Sequence, residues 1–339
     1  MKIGQLYSTI VSVVFFAFMK SAFACSSCGS SATSPLVLNP DENLKMYFGI
    51  AQNFNYMDYG VKKVSDTKQV PNNKISSRRI LTLGIGYRTT ENSFVTLTGS
   101  FVRNQGAANP ANVNEGFEHK YLVADPILAG RYNLMDMSIA STYRPQIQLA
   151  LSYKPSLAKN MVDDDPVAVR TVGNGFHQVT GGLDFWFGMP FVQFGFAQFV
   201  TYSFDRHPDN AGRTCCGMVS STSTQMKRTR DFQYTTVLTV GHAFKESNIS
   251  VQGGAILDYI GKEVVTNKNN TTGVETSWTR NSAQSNSLFA NVKYKPTFED
   301  TFRLSYTLGG AYNDNLGYFT NANQTTFDTL SLSYERTFF

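Results

Sequence analysis

The residues whose types invite chemistry are few: four cysteines, four histidines and one run of aspartates in a chain of 339 residues. Cys25-Ser26-Ser27-Cys28 has CxxC spacing, and Cys215 and Cys216 are adjacent. Gly29 follows the first motif where c-type haem attachment requires histidine, so haem is excluded. In an oxidising compartment these four thiols are expected to form disulfides. Two alternatives stay open: a lipid on Cys25 and capture of a soft metal by the thiols. His119, His177 and His207 could join such a metal, but their spacing matches no ligand motif, and no metal site is expected. The run Asp163-Asp164-Asp165 could hold a hard cation, although a charge run of this kind is ordinarily a solvated loop tip.

Nucleophilic catalysis is poorly served. Thr180, the hydroxyl nearest a strand histidine on a compatible spacing, lies three residues after His177 and so faces the other side of a strand. No glycine-flanked serine elbow is present. The chain is therefore expected to be no enzyme and to need no cofactor.

The elements that would position these residues are strands. Charged residues make up only 16% of the chain and aromatic residues 13%, which is poor in the charge of a soluble surface and rich in strand formers. Mean hydropathy is nevertheless slightly negative, against a bundle of spanning helices. Lys2, the apolar run Ile10 to Met19 and Ala22-Phe23-Ala24 read as an export signal over residues 1–24 with a small-x-small cleavage site. Removing Lys2 and Lys20 leaves 28 basic against 25 acidic residues, too even a balance to argue for nucleic acid.

From Leu44 onward apolar residues recur with period two. Leu81, Leu83, Ile85 and Tyr87 share one face, and Thr82, Gly84, Gly86 and Arg88 the other. Twelve such strands are expected: Leu44 to Tyr56, Arg78 to Thr89, Phe94 to Asn104, His119 to Asn133, Tyr143 to Pro155, Phe176 to Phe187, Phe191 to Phe204, Arg230 to Ala243, Asn248 to Gly261, Gln284 to Lys295, Thr301 to Asn313 and Thr326 to Phe338. Their connections alternate between short turns and long polar loops, the latter including 205–229 and 262–283, in the order an outer-membrane barrel uses. The reading is an all-β, antiparallel up-and-down transmembrane barrel over 44–339. Both termini would face the periplasm, and residues 25–43 would form a periplasmic segment or a plug. Arg336 breaks the final alternation, so a bulge or register shift is expected near the end.

The same alternation lists a lumen lining of both signs: Lys45, Arg88, Arg131, Lys154, Lys293 and Arg303 against Asp125, Asp184, Asp258 and Glu335. Mixed charge argues against a strongly ion-selective pore. It fits either a water-filled or partly plugged channel or an interior packed with salt bridges.

Tyr121 to Tyr132, with Asp125 and the Arg131-Tyr132 pair, then Gln148 to Pro155 ending in Lys154-Pro155, then Gly173-Asn174-Gly175-Phe176 entering a strand, resemble the outer-membrane transporter-like proteins grouped as the putative phenol-degradation (meta-pathway) family. The resemblance covers about a quarter of the chain. The terminal Leu330, Leu332, Tyr334, Phe338 and Phe339 resemble the C-terminal strand signal of outer-membrane barrels. The family resemblance implies passage of small, often aromatic or apolar, molecules and assigns no catalytic residues. The expected partners are outer-membrane lipid and lipopolysaccharide, the barrel-assembly machinery and a small solute. The expected function is an outer-membrane channel, with a non-conducting barrel whose long loops bind a partner as its rival.

Overall fold

A computed structural model describes residues 36–38, 42–59, 75–107, 117–135, 145–159, 170–188, 192–207, 224–244, 247–280, 282–312 and 322–339. The export signal, the four cysteines and the aspartate run lie outside the described residues.

Every regular element among the described residues is a strand. The first three, β1 (Leu44–Tyr59), β2 (Ile75–Thr90) and β3 (Ser93–Ala107), pair antiparallel in sequence order. Next come β4 (Phe117–Val123) and β5 (Ile127–Met135), both paired with β3. Phe101 faces Val123 above, and Thr98 faces Ile127 below, so β4 and β5 are one wall strand broken at Ala124-Asp125-Pro126. Pro126 explains the break, because it has no N–H to give the ladder.

The wall continues through β6 (Gln146–Lys154), β7 (Gln178–Gly188) and β8 (Gln193–Ser203). It then runs through β10 (Gln233–Phe244), β11 (Ile249–Ile260), β14 (Ala283–Tyr294), β15 (Asp300–Tyr312) and β16 (Ala322–Phe338). Strand β16 returns to β1, and the β2–β3 pairing closes the ring. With β4 and β5 counted as one, the closed barrel has twelve strands, each overlapping one of the twelve expected from the sequence.

Two expectations need correction. The segments 205–229 and 262–283, read as loops, contain β9 (Thr224–Arg230), β12 (Glu263–Asn269) and β13 (Glu275–Arg280), a separate three-stranded sheet in the order β13-β12-β9. It prolongs the β10–β11 hairpin past a kink at Asp231-Phe232 and Gly261-Lys262. The bulge or register shift expected near Arg336 is absent: its pairing with Met46 on one side and Asp300 on the other is in register. Arg336 instead meets Glu299, in the short turn before β15, at 2.8 Å and Asp300, the first residue of β15, at 3.6 Å. The Tyr334 and Thr297 hydroxyls donate to Asp300 there.

The sorting of side chains is inverted relative to a soluble protein. Leu83, Ile85, Leu97, Leu149, Leu183, Leu238, Leu304 and Leu332 are exposed on the outer face, whereas Thr96, Gln148, Thr180, Thr201, Ser285 and Ser333 are buried on the inner one. Aromatic side chains border the outer apolar band at both ends. Tyr87, Tyr132, Phe244 and Tyr294 stand near the short turns, and Phe54, Tyr121, Tyr202 and Tyr259 near the long connections. Such an outside removes little area from water but suits a hydrocarbon solvent, in which only a closed barrel leaves no strand edge unpaired.

Candidate functional site

The interior is the candidate site, and several of its polar side chains are paired with one another. Lys45 on β1 meets Glu42 at 2.7 Å and Glu335 on β16 at 4.0 Å, and Arg303 on β15 donates to Glu335 at 2.6 Å. Lys293 stands opposite Arg303 on β14. A second cluster joins three neighbouring strands. Arg131 on β5 donates to Asp184 on β7 at 2.7 Å and to Gln148 on β6 at 3.2 Å, while Gln148 donates to Asn133. Asp258 on β11 accepts from Thr235 on β10 at 2.5 Å and has no cation at ion-pair distance among the described residues. Period two explains why these groups meet, since inward residues at the same register on adjacent strands are direct neighbours.

The remaining members of the sequence-based lining stand elsewhere. Arg88 lies at the end of β2 beside the chain's entry, donating to the Glu42 and Glu91 carbonyl oxygens at 2.8 and 2.7 Å. Lys154 is half-buried at the end of β6. Asp125, at the break between β4 and β5, accepts the Leu157 and Ala158 backbone amides at 2.8 and 2.7 Å and so ties the β6–β7 connection to the wall. Asp125→Ala is expected to cost this connection about 2 kcal/mol, since two amides lose a charged acceptor. Limited proteolysis should show faster cleavage between residues 155 and 177 while the barrel itself stays resistant.

Three features escaped the sequence reading. Glu42 precedes the first strand, where alternation says nothing. Phe94 and Phe199 are buried on the inner face, and Trp186 is half-buried there, so the lining is aromatic as well as polar. Above the barrel, Arg228 and Arg230 on β9 converge on Glu263 on β12 at 2.6 and 2.5 Å, and Phe176 lies 4.6 and 4.4 Å from the two guanidiniums. The inward positions of β9 are Met226, Arg228 and Arg230, so a search for apolar alternation passes over them.

The segment before β1 also enters the interior. Leu36 and Leu38 are fully buried. A Cβ on Gly84 would stand 2.7 Å from Leu36 Cδ1, and one on Gly86 would stand 2.6 Å from Leu38 Cδ1. The glycines on the inner face of β2 therefore form the groove that admits the two leucines. The strip is held from the side by the Lys45 ammonium, which donates to the Val37 carbonyl oxygen at 2.8 Å.

No protein-family model matches the sequence, and no curated protein sequence does. Among solved structures, the chain is similar to the COG4313 outer membrane channel from Pseudomonas putida F1, at a TM-score of 0.59 and 12% identity over 89% of this chain and 100% of that one. The chain folds as an outer-membrane β-barrel. That fold is the one the family resemblance implied. The chain also aligns with a TodX monoaromatic hydrocarbon channel mutant (TM-score 0.45, 8% identity, 88% of this chain and 91% of that one). A further alignment is with the NanC porin (0.41, 8%, 86% and 100%). At these scores the last two likenesses carry no weight. Among the described residues of this barrel, no group of three or more His, Cys, Asp or Glu side chains is placed to hold a metal ion.

Proposed function

We propose that the barrel is an outer-membrane channel for a small solute, gated or narrowed by the segment before β1. The observation that carries this reading is the strip Leu36-Val37-Leu38. It lies on a glycine groove of the inner wall and is held by the Lys45 hydrogen bond to the Val37 carbonyl oxygen, with no place in the barrel's strand ladder. An interior of about twelve strands is wider than one that side chains alone fill, and here a removable stretch of chain occupies part of it. The inner faces of Phe94, Phe199 and Trp186 beside Thr and Ser residues suit a compact apolar or aromatic solute carrying one polar group.

In this reading both termini and the short turns face the periplasm. The long connections and the β9–β12–β13 sheet face outward. The terminal Phe339 serves recognition by the barrel-assembly machinery, and residues 1–24 are removed on export. The thiols of Cys25, Cys28, Cys215 and Cys216 pair as disulfides.

Charge along the path is tested at Arg303. Arg303→Glu places a second carboxylate beside Glu335 and Lys293, so the reversal potential in a salt gradient across a planar bilayer should move toward cation preference. An unchanged reversal potential in a conducting variant would place the ion path away from this cluster. Failure of intact and variant proteins alike to conduct or to admit solute into proteoliposomes would favour a non-conducting barrel that binds a partner through its outer loops.

A further inference from the structure

The outer face holds a pair of like charges with no counter-ion among the described residues. Arg79 on β2 and Arg103 on β3 are direct cross-strand partners. Both point outward, on the faces that carry Leu81 and Leu83, and Leu97 and Phe101. Like charges directly opposite one another destabilise a sheet. Among the described residues no carboxylate is paired with either arginine. Arg79 Nε donates to the neutral Gln52 Oε1 at 2.7 Å. Arg103 Nη2 stands 3.5 Å from His119 Nδ1, its guanidinium lies 5.8 Å from the Tyr121 ring centroid, and its Nε has no acceptor. Glu118, the acid on the neighbouring strand β4, is committed to Arg170 at 2.9 Å and Lys120 at 3.8 Å.

Position supplies the second argument. The pair stands one outward step above Leu81 and Phe101, where the apolar band ends on the side of the long connections. Tyr121, opposite Arg103 on β4, is 78% exposed and offers an aromatic face at the same level. A ligand that satisfies all of this is anionic, rich in acceptors, and continuous with acyl chains that lie along Ile50, Leu83 and Leu97. Guanidiniums favour phosphate because several N–H groups reach its oxygens at once.

We infer that Arg79, Arg103 and His119 form a binding site for the phosphorylated head group of an outer-leaflet glycolipid of the lipid A class. The site rests on the proposed outward orientation of the long connections. That orientation is checked separately, by labelling a loop cysteine on whole cells, so failure of one is distinguishable from failure of the other.

The test uses the purified full barrel in detergent, titrated with lipid A bearing both phosphates and read by native mass spectrometry. Each lost arginine contact should weaken binding about tenfold, and Arg79→Gln with Arg103→Gln together should abolish the adduct at lipid concentrations that saturate the wild type. Arg336→Gln, at the opposite end of the outer face, should retain it. If the double variant loses its heat-modifiable migration, Arg79→Gln alone carries the test with its single tenfold loss. Equal binding by the variants, or by lipid A stripped of phosphate, overturns the site. Inorganic phosphate that displaces the lipid at matched concentration also overturns it, in favour of a soluble anion.

Discussion

Replacing Glu263 with alanine is expected to destabilise the sheet above the barrel by about 3–5 kcal/mol, because it strands two buried arginines without their shared counter-ion. Glu263 accepts from Arg228 through Oε1 at 2.6 Å and from Arg230 through Oε2 at 2.5 Å. Arg228 and Glu263 are almost wholly buried. The two guanidiniums also cover Phe176, and Arg228 donates at 3.3 Å to the carbonyl oxygen of Asn174, so the loss extends to the end of the β6–β7 connection.

Hydrogen exchange should rise across β9, β12 and residues 174–177. The barrel strands, held by their own ladder, should keep their protection. Breaking a buried ion network differs from replacing it. Arg228→Met, Glu263→Leu and Arg230→Met in combination remove all three charges and should cost far less than Glu263→Ala alone. A single substitution as harmless as the triple one would mean that water already reaches the arginines.

Most of the barrel was legible because its rule is local. Inward and outward residues alternate, and Leu81, Leu83, Ile85 and Tyr87 announce the outer face of β2 without reference to any partner. The rule fails where an inner face is itself charged. On β9 and β12 the inward residues are Met226, Arg228 and Arg230 and Glu263, Val265 and Asn267, which mimic a polar loop. The Thr271-Thr272-Gly273 turn, with Gly273 at φ +68°, was the available signal that 262–283 folds back as a hairpin. The break in the fourth wall strand was likewise written in Pro126, although the apolar alternation on either side disguised it.

Alternation gives the face of a strand on which a residue stands but not the contacts it makes. Alternation placed Arg131 and Asp184 inside, while their 2.7 Å pairing depends on the register of β5, β6 and β7. The groove of Gly84 and Gly86 and its occupants Leu36 and Leu38 are separated by nearly fifty residues of sequence. Nothing local to either end marks the other.

Deletion of residues 25–41, with the export signal retained, is expected to widen the path and raise single-channel conductance several-fold. The deletion empties the groove on β2 and removes the Val37 carbonyl that receives the Lys45 ammonium. The barrel should survive, because the strip makes no ladder pairing and the leucines contribute only their own burial, about 1.5–3 kcal/mol each. Lys45 keeps Glu42 and Glu335 as partners, so no cation is left stranded in the wall.

Paired conductance records of the full chain and this deletion, each shown to be folded by heat-modifiable migration, test the channel most directly. Small steps for the full chain and several-fold larger steps for the deletion are the predicted result. A folded deletion protein that conducts no better than the intact barrel, or not at all, would contradict the account.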